Sequence, residues 1–194
     1  LATVDELALA HDRSYIDRVR ALAEAGGGRF DADTVVSEGS WDAACAAAGS
    51  VLEGVERALD GRNLRSFCGV RPPGHHAGHD FMGGYCFVNN AAIAAQTLRN
   101  LDAERVAVLD VDYHHGNGTQ SIFYERDDVF FASIHGDPLT EYPFYLGHAD
   151  ETGVGDGAGY NLNLPLPAGS RAAVWFDALE RACKAIGYVR ADAL

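Results

Sequence analysis

Arg71-Pro72-Pro73-Gly74-His75-His76 and Asp110-Val111-Asp112-Tyr113-His114-His115-Gly116-Asn117-Gly118 put proton-transfer and metal-ligand side chains on one chain. A carboxylate and an imidazole at a strand end can hold a divalent cation. Zinc suits such oxygen and nitrogen donors, and a catalytic zinc usually takes three protein ligands and leaves one position open. Asp112 and His114 supply two, and no spacing in the chain announces the third. Because side chains alternate along an extended backbone, Asp110, Asp112 and His114 are expected on one side and His115 on the other. A lone Asp-x-His is more often a capped strand end than a ligand pair, but the histidine pair shifts that balance. Pro72-Pro73-Gly74 forms a rigid turn and predicts His75 and His76 in a loop. One neutral imidazole there can take a proton from water while a second, protonated, stabilises an oxyanion or protonates a leaving amine. Hydrolysis is the chemistry these groups share.

The segments Arg71 to His76, Gly83-Gly84-Tyr85-Cys86-Phe87-Val88-Asn89-Asn90, Asp110 to Gly118 and Ser133-Ile134-His135-Gly136-Asp137-Pro138 resemble, in order and spacing, the zinc-dependent histone deacetylase superfamily, which includes the bacterial acetylpolyamine amidohydrolases. The similarity runs from about His11-Asp12 onward. It implies an arginase/deacetylase-like fold, with Asp112 and His114 as ligands to zinc or another divalent metal. It implies His75 and His76 as a tandem acid-base pair, with Asp110 orienting His75. Asn117 stands where many relatives carry an Asp that orients His76, and a neutral amide raises imidazole basicity less than a carboxylate does. Tyr85 is expected to line a substrate tunnel, and the Gly84 carbonyl to accept the substrate amide N–H. A monovalent cation, K+ or Na+, is implied at Asp110, Asp112, His114, Ser133 and Ile134, and a weaker second one near Phe123, Arg126, Val129 and Tyr160. The family's third zinc ligand, an Asp, and its transition-state Tyr lie beyond a segment resembling Tyr188 to Leu194, with Asp192 only in the lead-in to that strand. The chain accordingly reads as an internal or truncated piece of a single catalytic domain, residues 1–194, with an incomplete site.

The resemblance implies removal of acetyl groups from acetylated amines. Tyr142 to Glu151 and Asn161-Leu162-Asn163-Leu164-Pro165 look like acetylpolyamine amidohydrolases, whereas Phe30 to Ser37 looks like bacterial deacetylases acting on acetyl-lysine and similar amides. Small acetylated amines are slightly favoured. A ureohydrolase is disfavoured, since its two metals need Asp-x-His-x-Asp and here Asp112-Tyr113-His114-His115-Gly116 ends in Gly. A noncatalytic acetyl-amine binder is the third class, and it gains only from the early end of the chain.

The elements that must position these groups alternate as in an α/β fold, expected as three α/β/α layers around a mainly parallel sheet. Thr3-Val4-Asp5-Glu6 is a capping box opening a helix toward Gly26-Gly27-Gly28. Trp41 to Asp60 is Ala-rich and helical, Ser66 to Val70 reads as a strand, and Asn89-Asn90 caps a helix burying Ile93, Thr97, Leu98 and Leu101. Strands follow near Val106–Leu109 and Val129–Ile134. Ala172 to Ile186 is helical with Trp175, Leu179, Ala182 and Ile186 as its core stripe, and the last residues look like an interrupted strand. Gly153 to Gly159 lacks the Lys-Ser/Thr of a phosphate loop and reads as a flexible turn-rich loop. His148-Ala149-Asp150-Glu151 reads as a solvated loop, and Glu141 as a tunnel-rim residue among aromatics that could line a channel for an aliphatic arm.

With 194 residues and 47% hydrophobic content the chain can bury one substantial core. A net charge of −13 argues against direct nucleic-acid contact and suits cationic substrates. No stretch of about 18 apolar residues suggests a membrane span. Scattered Cys45, Cys68, Cys86 and Cys183 suggest reduced thiols and a cytoplasmic location. A homo-oligomer is compatible with all of this.

Overall fold

Thr3 caps the first helix as its sequence requires: its hydroxyl accepts from Glu6 N–H at 3.2 Å, and Glu6 reaches back to Thr3 N–H at 2.6 Å. In the computed structural model, which describes residues 1–30, 34–61 and 65–194, that helix nonetheless stops after one turn. α1 is Val4–Leu7 and α2 is Arg13–Glu24, where one continuous helix was expected. The break has a tertiary cause. His11 is buried, with Nδ1 on the Gly78 carbonyl at 2.7 Å and Nε2 accepting from Asn89 N–H at 2.8 Å. Asp12 N–H donates to the His79 carbonyl. Residues pinned to a distant loop in this way cannot also continue a helix.

Contacts divide the chain into two compact units, Leu1–Leu98 and Arg99–Leu194. In the first, α2 buries Tyr15, Ile16, Val19 and Ala23. β1 (Gly27–Arg29) pairs antiparallel with β2 (Val35–Ser37); part of the Phe30–Ser37 segment, residues 31–33, lies outside the described residues. α3 (Ser40–Leu59) forms where the Ala-rich run predicts it. The strand expected at Ser66–Val70 does not form. Ser66 Oγ and Cys68 Sγ instead bond the α3 carbonyls of Gly54 and Ser50, and Phe67 is exposed. α4 is Asn90–Asn100, capped by Asn89 Oδ1 on Ala92 N–H at 3.0 Å. Ala92, Ile93 and Ala95 are its buried face, while Leu101 falls past its end and is 51% exposed, against expectation.

In the second unit, β3 (Val106–Asp110), β4 (Val129–Gly136) and β5 (Asn161–Leu166) form a parallel sheet in the order β3-β4-β5. Parallel strands are normally covered on both faces, and β4 is buried along nearly its whole length. Phe130, Ala132 and Ile134 pack on Ala178 and Ala182 of α6 (Ala172–Val189), flanked by Trp175, Leu179 and Ile186. The alternate residues Phe131 and His135 meet the His115 ring, just before α5 (Asn117–Phe123). Helix, sheet and helix thus give the expected three layers. Tyr188 and Val189 end α6 rather than forming strand; only Ala193 pairs, bridging Val106. Asp192 accepts from Glu104 and Arg105 N–H at 2.7 and 3.0 Å, a structural role.

The Gly153–Gly159 loop is closely packed, correcting the flexible reading. Gly157 is buried in a 3₁₀ turn, and a Cβ there would lie 2.5 Å from the Tyr124 carbonyl. Among the described residues no helix is long and apolar enough to cross a membrane.

Candidate active site

The His75-His76 loop has no regular structure, so its backbone polar groups need other partners. They come largely from side chains. Arg18 donates to the Asp80 carbonyl at 2.8 Å, Asn89 Nδ2 to Ala77 at 3.0 Å, and Tyr15 Oη to Phe87 at 2.5 Å. His11 completes the clamp, and burial lowers its pKa from 6.5 to about 4, so it works as a neutral ring that donates at Nδ1 and accepts at Nε2. Inside this frame His76 is buried and His75 half-buried, their rings 4.0 Å apart at 47°. Gly84, at φ +51, lies against the His76 ring, and any Cβ there would overlap that ring. Tyr85 beside it is 64% exposed at φ 65, a conformation bulky residues rarely hold and one concentrated at functional sites. His75, His76, Gly84 and Tyr85 all belong to the first unit.

Asp110, Asp112, His114, Asn117, Ser133 and Ile134 belong to the second. The extended alternation expected through His114 ends with β3 at Asp110. Successive turns follow: Asp110 Oδ1 accepts from Asp112 N–H at 3.1 Å, and Asp112 Oδ1 from His114 N–H at 2.8 Å. Asp and Asn favour such turns because their side chains bond their own backbone two residues on. Gly116 makes room for the Asp110 carboxylate, which a Cβ at that position would strike. Asn117 opens α5, and Ser133 pairs with Asp110 across the strands. His115 is buried, with Nε2 on Gln120 Oε1 at 3.0 Å.

The turns bring His114 Nδ1 to 3.4 Å from Asp112 Oδ1, with the two side chains 43% and 52% exposed. Two lone-pair donors that close need a proton or a cation between them. Ligand bonds of about 2.0–2.1 Å in tetrahedral geometry put neighbouring donors about 3.3 Å apart, so the pair fits two positions of one zinc ion and its exposure leaves a side open. Among the described residues no group of three or more His, Cys, Asp or Glu side chains is placed to hold a metal.

A buried polar network beneath this pair carries no motif in the sequence. Glu151, read as part of a solvated loop, accepts from Gly147 N–H at 3.1 and 3.0 Å, from His148 N–H at 3.0 Å and from Gln120 Nε2 at 2.6 Å. Gln120 Oε1 also accepts from Asn161 and Asn163. His135 Nε2 bonds the Gly147 carbonyl at 2.9 Å, and its Nδ1 lies 2.8 Å from Ser133 Oγ. A carbonyl only accepts, so Nε2 carries the proton and Nδ1 takes the Ser133 hydroxyl hydrogen; burial, by lowering the His135 pKa, keeps the ring neutral. The available signal was polar residues recurring every second position in β4 and β5. The network ends the loop that sets Tyr142 edge-on to His114, with ring centroids 6.0 Å apart.

A family model described as the histone deacetylase domain matches residues 1–189. Acetylpolyamine amidohydrolase 2 of Pseudomonas aeruginosa is 57% identical over 166 residues, 85% of this chain and 48% of that protein. The acetylpolyamine amidohydrolase of Mycoplana ramosa is 51% identical over 163 residues, 84% of this chain and 48% of that protein. Among solved structures, acetylpolyamine aminohydrolase from Burkholderia pseudomallei aligns with a TM-score of 0.90 at 38% identity, covering 99% of this chain and 65% of that one. An HDAC homolog from Aquifex aeolicus aligns at 0.87 and 33% identity, covering 97% and 52%. The chain spans about half the length of the curated relatives it matches. Motifs, sheet and relatives agree: the chain belongs to the histone deacetylase family, in its acetylpolyamine amidohydrolase-like branch.

Proposed function

We propose that the protein hydrolyses the acetyl amide of acetylated polyamines, yielding acetate and the free amine. The observation that carries this reading is the Asp112–His114 donor pair, spaced at 3.4 Å as two ligands of one zinc would be. Bound zinc would polarise the amide carbonyl and acidify water. The rest falls to side chains and backbone. His75 and His76 take the proton of the attacking water and deliver one to the departing nitrogen as the C–N bond breaks. The Gly84 carbonyl accepts the substrate amide N–H, and the exposed Tyr85 ring guides the alkyl arm of the amine.

K+ or Na+ binds at Asp110, Asp112, His114, Ser133 and Ile134. The supporting observation is that Ser133 gives its hydrogen to His135, which leaves its oxygen lone pairs for a cation. Asp128, by contrast, is a structural carboxylate, occupied by Arg99 and Arg126 at 2.7 and 2.8 Å. Hydrolysis of guanidino substrates at two metals is disfavoured, because position 116 has no room for a bridging carboxylate.

The test is amine release by the zinc-loaded protein, as its host produces it, from N-acetylputrescine and from an acetyl-lysine peptide. Preferential release from the acetylated diamine is expected. A strong peptide preference would sink the polyamine reading, and no release from either would sink the amidohydrolase reading.

A further inference from the structure

Where β4 ends, three residues close into a corner. Gly136 N–H donates to the Tyr113 carbonyl at 2.8 Å. A Cβ on Gly136 would lie 2.8 Å from Glu141 Cγ and 3.2 Å from Tyr113 Cζ, so glycine is what lets both side chains close over this position. The Tyr113 hydroxyl hydrogen-bonds the Glu141 carboxylate. A carboxylate only accepts, so the phenol is the donor of that bond. An ionised carboxylate has about four lone-pair sites, and one phenolic donor leaves acceptor capacity on Glu141.

The corner adjoins the metal-ligand pair. The Tyr113 and Tyr142 rings stand edge-on to the His114 imidazole, at 5.3 and 6.0 Å. Tyr113 thus neighbours both the Glu141 side chain and the ligand imidazole. Glu141 is fixed in its turn, donating its N–H to the Asp137 carbonyl and accepting from Phe144 N–H, both at 2.9 Å. Phe144 and Tyr145 follow at φ 53 and 60, 49% and 72% exposed. Two adjacent aromatics in a left-handed conformation persist only where the surroundings over-determine them, and such strain gathers at ligand clamps. A carboxylate held among tyrosines is a receptor for an alkylammonium group, through charge and through the ring faces.

We infer that Glu141, held by Tyr113 and framed by Tyr142, selects substrates carrying a free ammonium on the alkyl arm distal to the acetamide. This rests on the amidohydrolase reading above. It makes Glu141 a specificity residue rather than a catalytic one.

The readout is the ratio of kcat/KM for N-acetylputrescine to that for N-pentylacetamide, a neutral analogue of equal length, in the zinc-loaded protein. In Glu141→Gln the ratio should fall about tenfold, which is about 1.4 kcal/mol and typical of a charge-assisted hydrogen bond. Glu141→Asp should restore part of it. In the wild type the ratio should decline with added salt as the charges are screened, a measurement independent of how the variants fold. A ratio unmoved by Glu141→Gln, or both substrates falling equally, overturns the assignment while leaving the amidohydrolase reading standing. If the wild type hydrolyses neither compound, that reading fails and the assignment falls with it.

Discussion

Asp112 and His114 do different work from His76, and single substitutions should separate the two kinds of work. Asp112 offers a carboxylate within 3.4 Å of the His114 imidazole; deleting it removes a donor, and a metal site that loses one donor loses affinity first. Asp112→Ala is expected to lower the zinc bound per chain to well below one equivalent, read by elemental analysis after dialysis. Retained stoichiometric zinc would mean the ligand assignment is wrong. His76 is buried against His75 and moves protons. His76→Ala should keep its zinc and lose turnover by about 10²–10⁴-fold, the usual contribution of a positioned acid or base. Equal loss of zinc and turnover would refute the proton-handling role.

At the scale of elements, the loop that carries Glu141 and Tyr142 is anchored at its far end by Gly147. Gly147 has φ +99, its N–H is held by Glu151 and its carbonyl by His135, and a Cβ would lie 2.6 Å from the His115 ring. An alanine there meets both the backbone penalty of the left-handed region, about 1–2 kcal/mol, and a ring that cannot yield without breaking a hydrogen bond of about 1 kcal/mol. Gly147→Ala should therefore cost at least about 2 kcal/mol in urea unfolding, and a change under about 0.5 kcal/mol would show the loop is not anchored there. This anchor was invisible in the sequence because its strength lies in pairings 4 to 43 residues apart. The chemistry was legible because its carriers are contiguous: His75 beside His76, and Asp112 two before His114. β4 was legible from its apolar run. By contrast, α1 and α2 read as one helix because Ala8 to Asp12 has no local reason to break; the reason sits at Gly78, His79 and Asn89. Ser66–Val70 misled for the opposite cause, a strand-like composition whose side chains are spent on α3.

For the molecule as a whole, buried neutral histidines set how stability responds to acid. In the unfolded chain His11 would protonate near its ordinary 6.5, whereas in the folded protein burial holds it to about 4. A group with a depressed folded pKa contributes its full stability above the unfolded value and loses it as pH falls toward the folded one. Below 6.5 the unfolded chain gains a proton that the folded one refuses, and each pH unit between 6.5 and 4 then removes up to about 1.4 kcal/mol per site. His135 is lowered by burial and acts with the same sign. Asp128 extends the loss further down: its bonds to Arg126, and then to Arg99, hold it at about 2 against an ordinary 3.8, so its share disappears only between those values. Opposing these, acidification neutralises a chain of net charge −13 and relieves its self-repulsion; that relief is spread over many carboxylates and is screened by salt, while the histidine loss is local and is not. Urea unfolding at about 0.15 M salt should show stability falling steadily from pH 6.5 to 4. His11→Phe should start lower at pH 7, having left Gly78 and Asn89 without their partner, and then fall with a shallower slope. Parallel slopes for the two proteins would mean that His11 does not control the acid response.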